Sequence, residues 1–598
     1  MKLVYHALFS VAAFAVLSAV TPDCLAQHDE HQAMQPPTKN GLTGEARNEA
    51  GALIVQDFQG RMKPLETLSI EMIRKITKRS HFEDWDPLDL YLGWIARPDY
   101  WFEYPLLAVR HPEVKKLLGV DEGETHVSAF SLLDQEGHYR IGDTVEEALR
   151  TPDKSRSKFQ RRLLSFDERF NLFYMTLQGR TLRLYPVPGD QKNTWLDIRQ
   201  VQEQLTDEQA VEFREAFFAL LEGMREEDES RFREGIAATA AIQAEYGSAV
   251  IPGDMALRAE MILNSLSPFT RVIWLYFIAF FVLLTAYAWS LAKRRGAVYT
   301  WRNPLYTIGI ILFSVGLLIH LTGFVLRWIA SSRAPLSNGY ESLVFISLMV
   351  AVAGAIFEMS NRRGAAASLA SLLTAVVLGI SMMSAFDPAI GPLVPVLASY
   401  WLNIHVTVIT SSYGFLGLGA LLGGLILVLH FFKRVSSSTI RNDVMKLDRL
   451  LFHVIVAGLA LLSVGTLLGG VWANESWGRY WGWDPKETWS LVTILVYALV
   501  LHFRWIPSLN RPWVLAAGSF LGIASVIMTY FGVNYFLVGL HSYAQGEAAK
   551  VPTWVFVTAI LMVLLVVSSG WFDRKWSWAS SPSTVSQTDD EGIQRLNV

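Results

Sequence analysis

The chain has 598 residues, of which 51% are hydrophobic and only 18% are charged, and its mean hydropathy is +0.27. This composition is too apolar for a water-soluble protein of this length and predicts a polytopic membrane protein. The net charge of −3 is small and spread along the chain, so it indicates neither a nucleic-acid partner nor an acidic substrate.

The first residues are typical of an export signal. Lys2 precedes an apolar run over residues 8–20, so we expect a signal peptide over residues 1–26, cleaved after Ala26. An uncleaved anchor is the alternative, although the apolar run is short for a membrane span. The only cysteine, Cys24, lies in this segment, so the mature chain would have no thiol, disulfide or CxxCH motif of its own. Any thiol chemistry then needs a partner.

Residues 27–268 hold no 18-residue apolar run and are expected to form a soluble domain outside the membrane. The first part of this domain, residues 27–49, is polar and is expected to be disordered. Beyond it, apolar residues recur at three-to-four spacing between charges, which predicts a mostly helical domain with a few short strands at best. Helices are predicted over residues 65–78, 87–95, 158–178 and 207–227. The sequence predicts no chemistry for this domain.

From residue 269 onward, apolar runs follow one another, each near the length that a bilayer core requires. Nine spans are predicted, over residues 272–292, 305–326, 343–357, 365–383, 405–431, 450–471, 488–503, 513–530 and 553–571. With the N-terminal domain outside, the inner segments carry fifteen lysines and arginines and the outer loops carry five, in agreement with the positive-inside rule. We therefore predict an all-α polytopic membrane domain over residues 269–575 and a disordered cytoplasmic tail over residues 576–598.

An unusual loop joins the sixth and seventh predicted spans at residues 472–489, with the sequence WANESWGRYWGWDPKETW. Its five tryptophans are Trp472, Trp477, Trp481, Trp483 and Trp489. Because indoles are unfavourable in water, such a loop needs a cover, either the membrane interface over an aromatic belt or a planar ligand. The density of indoles, and a topology that puts the loop outside, favour a ligand platform.

Two histidines are predicted at the same outer face as this loop. His405 begins the fifth span and His541 lies in the last outer loop, so the pair could bind a haem iron from both sides while indoles cover the macrocycle. The alternative for each is a polar residue that contacts headgroups. His502, deep in the seventh span, is either an inner haem ligand or a histidine that reaches the inner interface beside Arg504.

The run WGRYWGWDPKETWSL, residues 477–491, resembles the WWD signature of haem-handling membrane proteins. Its Asp-Pro-Lys-Glu-Thr-Trp continuation resembles the CcsA/ResC branch of System II cytochrome c biogenesis. RAPLSNGYESL (residues 333–343) and the segments around His405, His502 and His541 are also similar, and the resemblance extends over residues 305–543. In addition, QDFQGRMKPLETL (residues 56–68) is similar to an exterior part that precedes CcsA in some fused synthases.

The resemblance implies a cytochrome c haem lyase component in the bacterial inner membrane, with the N-terminal domain and the WWD loop on the extracytoplasmic side. Haem b would be held at the loop by His405 and His541, with His502 as the inner-site ligand, and its vinyl groups would be joined to the CxxCH thiols of an apocytochrome c. The family works with a CcsB/ResB partner, for which we find no four-span segment in this sequence. Thiol-reducing partners would also be needed.

Thioether formation depends on reduced thiols and orientation more than on a protein nucleophile, so the lack of a catalytic triad or dyad fits a positioning catalyst. Arg479 and Lys486 are candidates for contacts with haem propionates. Asp484, grouped with the haem-binding residues, is expected to cap or brace the loop. The alternatives are a haem exporter or relay without ligation activity, a membrane subunit of a b-type haem quinone oxidoreductase, and a structural protein with an aromatic belt.

Overall fold

The computed structural model describes residues 37, 39, 41–190, 193–292, 303–383, 386–393, 395–432, 437–537, 539 and 551–573. Most of these residues are helical, and the strands among them are only two or three residues long. The predicted signal peptide and the tail over residues 576–598 lie outside the described residues.

The N-terminal domain is mostly helical, as predicted. Its described strands form three antiparallel pairs, namely β1 (Ile54–Gln56) with β2 (Met62–Pro64), β3 (Leu107–Ala108) with β4 (His126–Val127), and β5 (Tyr185–Pro186) with β6 (Trp195–Leu196). Its α-helices are α1 (Gly44–Gly51), α2 (Leu65–Thr77), α3 (Pro87–Ala96), α4 (Pro98–Glu103), α5 (Pro112–Leu118), α6 (Gly142–Arg150), α7 (Lys158–Leu177), α8 (Ile198–Gln204), α9 (Asp207–Glu226), α10 (Glu229–Tyr246) and α11 (Asp254–Leu266). Short 3-10 helices occur at Phe130–Leu132 and Asp153–Ser155. The four predicted helices correspond to α2, α3, α7 and α9.

The expected disorder over residues 27–49 is wrong for the end of that segment, where α1 forms. Thr43 caps α1 by accepting a hydrogen bond from the N–H of Ala46, which is fully buried. Arg47 donates two hydrogen bonds to the buried carboxylate of Asp89 on α3, at 2.8 and 3.0 Å. The segment is ordered because its cap and this ion pair dock it on the domain, an effect that its polar composition hides.

Nine apolar helices make up the described membrane domain. Eight are long and apolar enough to cross a membrane: α12 (Pro268–Ala292), α13 (Pro304–Ser331), α14 (Gly339–Asn361), α16 (Tyr400–Leu429), α17 (Ser437–Trp477), α18 (Pro485–His502), α19 (Pro512–Ile527) with its extensions, and α21 (Thr553–Asp573). The ninth, α15 (Ala365–Ser381), is shorter, with 17 residues. The extensions of α19 are a π-helix (Met528–Gly532) and α20 (Val533–Phe536), and 3-10 turns occur at Pro395–Leu397, His430–Phe432 and Phe503–Trp505. Each predicted span coincides with one of these helices, which confirms the all-α polytopic fold.

Helix α16 lies at the centre of the bundle and contacts α14, α17 and α19. Glycines on α17 allow a close approach to α16. A Cβ added at Gly458 would lie 2.7 Å from Leu416 Cδ2, and one added at Gly465 would lie 2.9 Å from the Cα of Ile409. Within a bilayer, such contacts between small residues stabilise helix association by van der Waals packing.

A buried ion-pair network connects residues within the RAPLSNGYESL segment. Glu341, at the start of α14, is fully buried. Its carboxylate forms ion pairs with Arg327 Nη2 at 2.8 Å and with Arg333 Nη1 at 3.4 Å. Arg327 also donates to the carbonyl of Pro388, and Arg333 to that of Gly391. The network therefore ties α13 and α14 to the connection that precedes α16.

The N-terminal domain rests on this same end of the bundle. Helix α11 contacts α13, and Arg74 on α2 forms an ion pair with Asp387, at 3.4 Å, in the connection before α16. Asn264 on α11 donates to Thr67 on α2 at 2.9 Å, which holds α11 against the rest of the domain.

Candidate functional site

The tryptophan-rich loop is shorter than predicted. Helix α17 continues to Trp477, and Gly478, at a φ of +72°, donates its N–H to the carbonyl of Asn474 at 2.9 Å. A left-handed glycine is a common end for a helix because it lacks a Cβ. Helix α18 begins at Pro485, so the irregular loop is residues 478–484 rather than 472–489. The outermost tryptophans of the predicted loop therefore lie on helices.

Asp484 caps α18. Its side chain accepts the N–H of Lys486 at 3.1 Å, while the Glu487 carboxylate accepts the N–H groups of Asp484 at 3.2 Å and Gly482 at 2.7 Å. This reciprocal arrangement is a capping box, with Pro485 at the first helical position. The expectation that Asp484 caps or braces the loop is confirmed, and a ligand contact by Asp484 stays a prediction.

His405, in the second turn of α16, is held by α17. Its Nδ1 lies 2.7 Å from the carbonyl oxygen of Gly465. Because a carbonyl oxygen only accepts, Nδ1 carries the proton, and in the neutral ring the lone pair lies on Nε2. Gly469, one turn further along α17, makes room for the ring, since a Cβ there would lie 2.6 Å from His405 Cε1. An imidazole oriented through its second nitrogen by a backbone carbonyl is typical of metal-ligating histidines.

The tryptophans of this region form two pairs of contacting rings, one of which adjoins His405. The Trp472 ring is nearly parallel to the imidazole, at 9° with 6.4 Å between ring centroids, and contacts Trp477 at 4.7 Å. Trp481 and Trp483 form a second, edge-on pair at 5.8 Å. Trp483 is 71% exposed and has a φ of +56°, a backbone conformation that costs a bulky residue on the order of 1 kcal/mol. A strained backbone and an exposed indole, as at Trp483, are typical of surfaces that contact a ligand.

Trp489 lies in the second turn of α18, where it contacts the π-helix. Its carbonyl accepts hydrogen bonds from the hydroxyls of Thr493 at 2.9 Å and Thr529 at 3.1 Å. A π-helix is rare and is often found at functional sites. Here it joins α19 to the segment that approaches the loop.

Two cationic side chains border the loop. The guanidinium of Arg479 lies against the backbone of Gly482, and Lys486 is in the first turn of α18. The charge of Lys486 interacts with the carboxylate of Asp484. Both side chains place positive charge at this edge of the loop, which would favour an anionic group there.

The chain beyond α20 returns to the capped end of α18. A Cβ added at Gly539 would lie 2.5 Å from Asp484 Oδ1 and 2.7 Å from Pro485 Cδ, so the two segments are in direct contact and require a glycine. His541 follows two residues later and lies outside the described residues. Its predicted pairing with His405 stays a prediction.

His502 is separated from this group, at the other end of α18. The 18 residues of α18 extend about 25 Å between the loop and His502. His502 Nδ1 donates to the carbonyl of Ala498 at 2.7 Å, and its ring contacts Trp505 at 4.5 Å between centroids. The imidazole is exposed, with its lone pair again on Nε2 in the neutral ring.

Known proteins share the part of the chain that holds these groups. A family model described as "Cytochrome C assembly protein" matches residues 336–541. CcsA from Synechococcus sp. (strain CC9902) is 34% identical over 317 residues, which cover 98% of that protein and 46% of this chain. This chain belongs to the CcsA family of cytochrome c biogenesis proteins. The predicted membership is therefore confirmed.

Two further relatives are similar to this chain. CcsA from Guillardia theta is 39% identical over 240 residues, covering 79% of that protein and 36% of this chain. Protein NrfI from Wolinella succinogenes is 36% identical over 533 residues, or 89% of this chain, so its similarity extends into the N-terminal domain. This chain spans 58% of the length of NrfI.

Several positioning residues of this CcsA family member were missed in the sequence. Gly465 and Gly469 orient His405, and Gly539 allows the contact with Asp484. The four-residue spacing of Gly465 and Gly469 in an apolar span is a visible signal for close helix packing. Nothing in that spacing identifies His405 as the residue opposite, because the facing residue depends on helix register.

Proposed function

We propose that this CcsA family member is the membrane component of a cytochrome c synthase. It holds haem b at the tryptophan-rich loop and promotes thioether attachment of the haem to the CxxCH motif of an apocytochrome c. The observation that carries the proposal is the fixed orientation of His405. Its Nδ1 bonds to Gly465 and its ring lies beside Trp472, so Nε2 is the ligand atom for a haem iron.

The other residues of the site match the remaining parts of haem. Haem has a flat apolar body, which suits the indoles of Trp477, Trp481 and Trp483, and an anionic edge, which suits Arg479 and Lys486. His541 is proposed as the second outer ligand. The contact of Gly539 with Asp484 supports this role, because it brings the chain to the loop two residues before His541.

The role of the chain in the reaction is positioning. Addition of a thiol across a vinyl group forms one carbon–sulfur bond and transfers the thiol hydrogen to the other vinyl carbon, so no protein nucleophile is consumed. Both thiols come from the apocytochrome, since the sequence contains only Cys24, and thiol-reducing partners keep them reduced. Holding haem and thiol in a near-attack geometry can lower the barrier by several kcal/mol.

We place the N-terminal domain and the loop on the extracytoplasmic side of a bacterial inner membrane. The excess of lysine and arginine in the predicted inner segments supports this orientation. Contacts also support the proposal that the N-terminal domain and the loop lie at the same end of the membrane domain. The N-terminal domain contacts Asp387, Tyr530 contacts the start of α14, and the chain that follows Tyr530 reaches Asp484.

A CcsB/ResB-type partner is proposed to contact α17 and α18. Both helices expose apolar side chains, namely Val456, Val464 and Leu467 on α17 and Leu495 and Leu499 on α18. Lipid alone could cover these aliphatic residues. The exposed imidazole of His502 at the end of α18 favours a protein or haem neighbour, because ionisable side chains on membrane helices usually serve a function. His502 would then be the inner haem ligand.

The buried histidines disfavour a b-type quinone oxidoreductase subunit. Such a subunit needs histidine pairs that face a haem inside the bundle. His320 Nε2 lies 3.2 Å from the carbonyl of Val344, and His430 is held between the Ile426 carbonyl and Asp573. His320 also packs against Phe269 and Tyr276, whereas His430 lies beside Asp573 on α21, so the two buried imidazoles have different neighbours and do not face one common haem site. An exporter or relay would use the same outer residues as a synthase, and only the covalent product separates the two.

The test is co-expression of the chain with a CcsB-type partner and an apocytochrome c. Haem content is measured from the Soret absorbance, and thioether formation from the pyridine haemochrome spectrum. We expect His405→Ala to lose the outer haem and the thioether product, whereas His453→Ala, an exposed histidine toward the other end of α17, retains both. Wild-type haem content and product in His405→Ala would reject the ligand assignment. Bound haem without any product in the wild-type protein would indicate the exporter or relay.

A further inference from the structure

A cleft separates the N-terminal domain from the outer connections of the membrane domain. Its volume is about 320 Å³. One wall is formed by β2, α2 and the turn between β1 and β2, and the other by the start of α14 and the connection before α16. We call it the interdomain cleft. It lies apart from the tryptophan-rich loop, whose residues do not line it.

A charged triad forms the domain side of the interdomain cleft. Lys63 is 2% exposed, and its Nζ contacts Asp57 Oδ2 at 2.7 Å and Glu71 Oε2 at 2.9 Å. Although burial opposes both shifts, the charge of Lys63 lowers the pKa of Asp57, and the two carboxylates raise the pKa of Lys63. One ammonium between two carboxylates leaves the triad with a net charge of about −1.

One oxygen of this triad has no partner in the described part of the chain. Glu71 is 6% exposed, and its Oε1 is buried without a hydrogen bond, although Glu71 lines the cleft. A buried acceptor without a donor is unfavourable by roughly 1 to 3 kcal/mol. The triad's own ammonium bonds the other Glu71 oxygen. A ligand that donates hydrogen bonds and carries a positive charge would satisfy Oε1 and offset the net charge.

Outside the triad, the lining of the cleft combines apolar side chains with the polar or charged Gln59, Lys75, Asn338 and Asp387. Leu68 and Met72 on α2 face Phe386 and Ile390 across it. A lysine or arginine side chain has an apolar stem and a charged, hydrogen-donating end, which matches such walls and an acidic floor. A metal ion is a poorer match, because no group of three His, Cys, Asp or Glu side chains among the described residues could hold one.

We propose that the interdomain cleft binds a lysine or arginine side chain of the apocytochrome polypeptide. The identity of the polypeptide rests on the proposed function, whereas the preference for a basic side chain rests on the cleft itself. The cleft also adjoins the route to the loop. Gly339 lines it, and the Gly339 carbonyl accepts a hydrogen bond from Tyr530 at 3.4 Å, in the π-helix that leads to Gly539. An apocytochrome held in the cleft is therefore anchored next to the segment that leads to the tryptophan-rich loop.

The experiment measures peptide binding to the full chain without haem. Cys24→Ser combined with Ala389→Cys puts a single cysteine in the cleft wall for an environment-sensitive dye. The probe is a synthetic peptide with the sequence Ser-Ala-Ala-Ser-His flanked by lysines, so no thioether can form. Its partner probe carries acetyl-lysine at the same positions. We expect saturable binding of the lysine peptide and a dissociation constant at least about tenfold higher for the acetylated one.

Variants of the cleft test the direction of the charge effect. Glu71→Gln should weaken binding of the lysine peptide by about tenfold, and Lys75→Glu, an exposed substitution at the cleft, should strengthen it several-fold. Glu146→Gln, an exposed carboxylate on α6 paired with Arg150, is the matched control and should change nothing. Because Lys75 is exposed, its substitution remains informative even if Glu71→Gln does not fold.

Three outcomes would overturn the inference. They are equal affinity for the two peptides, weaker binding in Lys75→Glu, and no binding of either peptide, in which case water alone satisfies Glu71. The binding assay contains no haem and its peptides contain no cysteine, so it is independent of the proposed function. Peptide binding without any thioether product would reject the synthase and keep the cleft, whereas thioether product without peptide binding would reject only the cleft.

Discussion

Substitution of Gly469 by alanine tests whether His405 is held as a haem ligand. The added Cβ would lie 2.6 Å from His405 Cε1, so the ring must move by at least about 0.8 Å to reach an ordinary contact of 3.4 Å. A movement of that size away from α17 lengthens the bond from Nδ1 to the Gly465 carbonyl from 2.7 Å to about 3.5 Å, beyond hydrogen-bond distance. Loss of such an orienting partner typically lowers metal affinity about 10- to 100-fold.

The assay is haem titration of the purified protein, followed by the Soret absorbance, with thermal unfolding in the same detergent. Alanine favours a helix over glycine by about 1 kcal/mol, whereas overpacking costs about 1 to 3 kcal/mol, so the helix should form with a small net loss of stability. Gly379→Ala is the matched control, because its Cβ meets nothing within 4 Å. Wild-type haem affinity in Gly469→Ala would refute the reasoning that the fixed His405 ring binds haem.

Substitutions at three further positions test the cap, the ion-pair network and a partly buried acid. Asp484→Ala should lower the stability of α18 by about 1 kcal/mol and weaken haem binding, because the cap is lost. Asp484→Asn keeps the capping oxygen and should retain most of the haem binding. An equal loss of haem binding in both variants would contradict a capping role. Glu341→Ala leaves Arg327 buried without its carboxylate and should destabilise the protein by about 3 to 5 kcal/mol, seen as a lower thermal midpoint. Burial, and after it the charge of Asp86, raise the pKa of Glu66 to about 7. The stabilisation that comes from a protonated Glu66 in the folded protein is therefore fully present below about pH 4.5 and is lost as the pH rises through 7. The thermal midpoints of Glu66→Gln should lack this dependence on pH.

Local patterns predicted much of the fold. The membrane helices coincide with the predicted spans because apolar run length alone decides whether a segment can cross a bilayer. Asp484 was predicted as a cap because capping depends on residues close in sequence. The loop bounds were predicted too widely because helix α17 continues through polar residues to Trp477, where the left-handed Gly478 ends it. Order in α1 was missed because it depends on the distant partner Asp89.

The sequence by itself determined the membrane fold, the tryptophan-rich loop and its cap, since each depends on residues within one helix or one turn. Only the tertiary structure decided which groups meet. His405 bonds to Gly465, sixty residues away, because α16 and α17 are held in one register by small residues. Glu71 faces a cleft whose other wall comes from the membrane domain. Such contacts depend on helix register and domain docking, which hydrophobic periodicity does not encode.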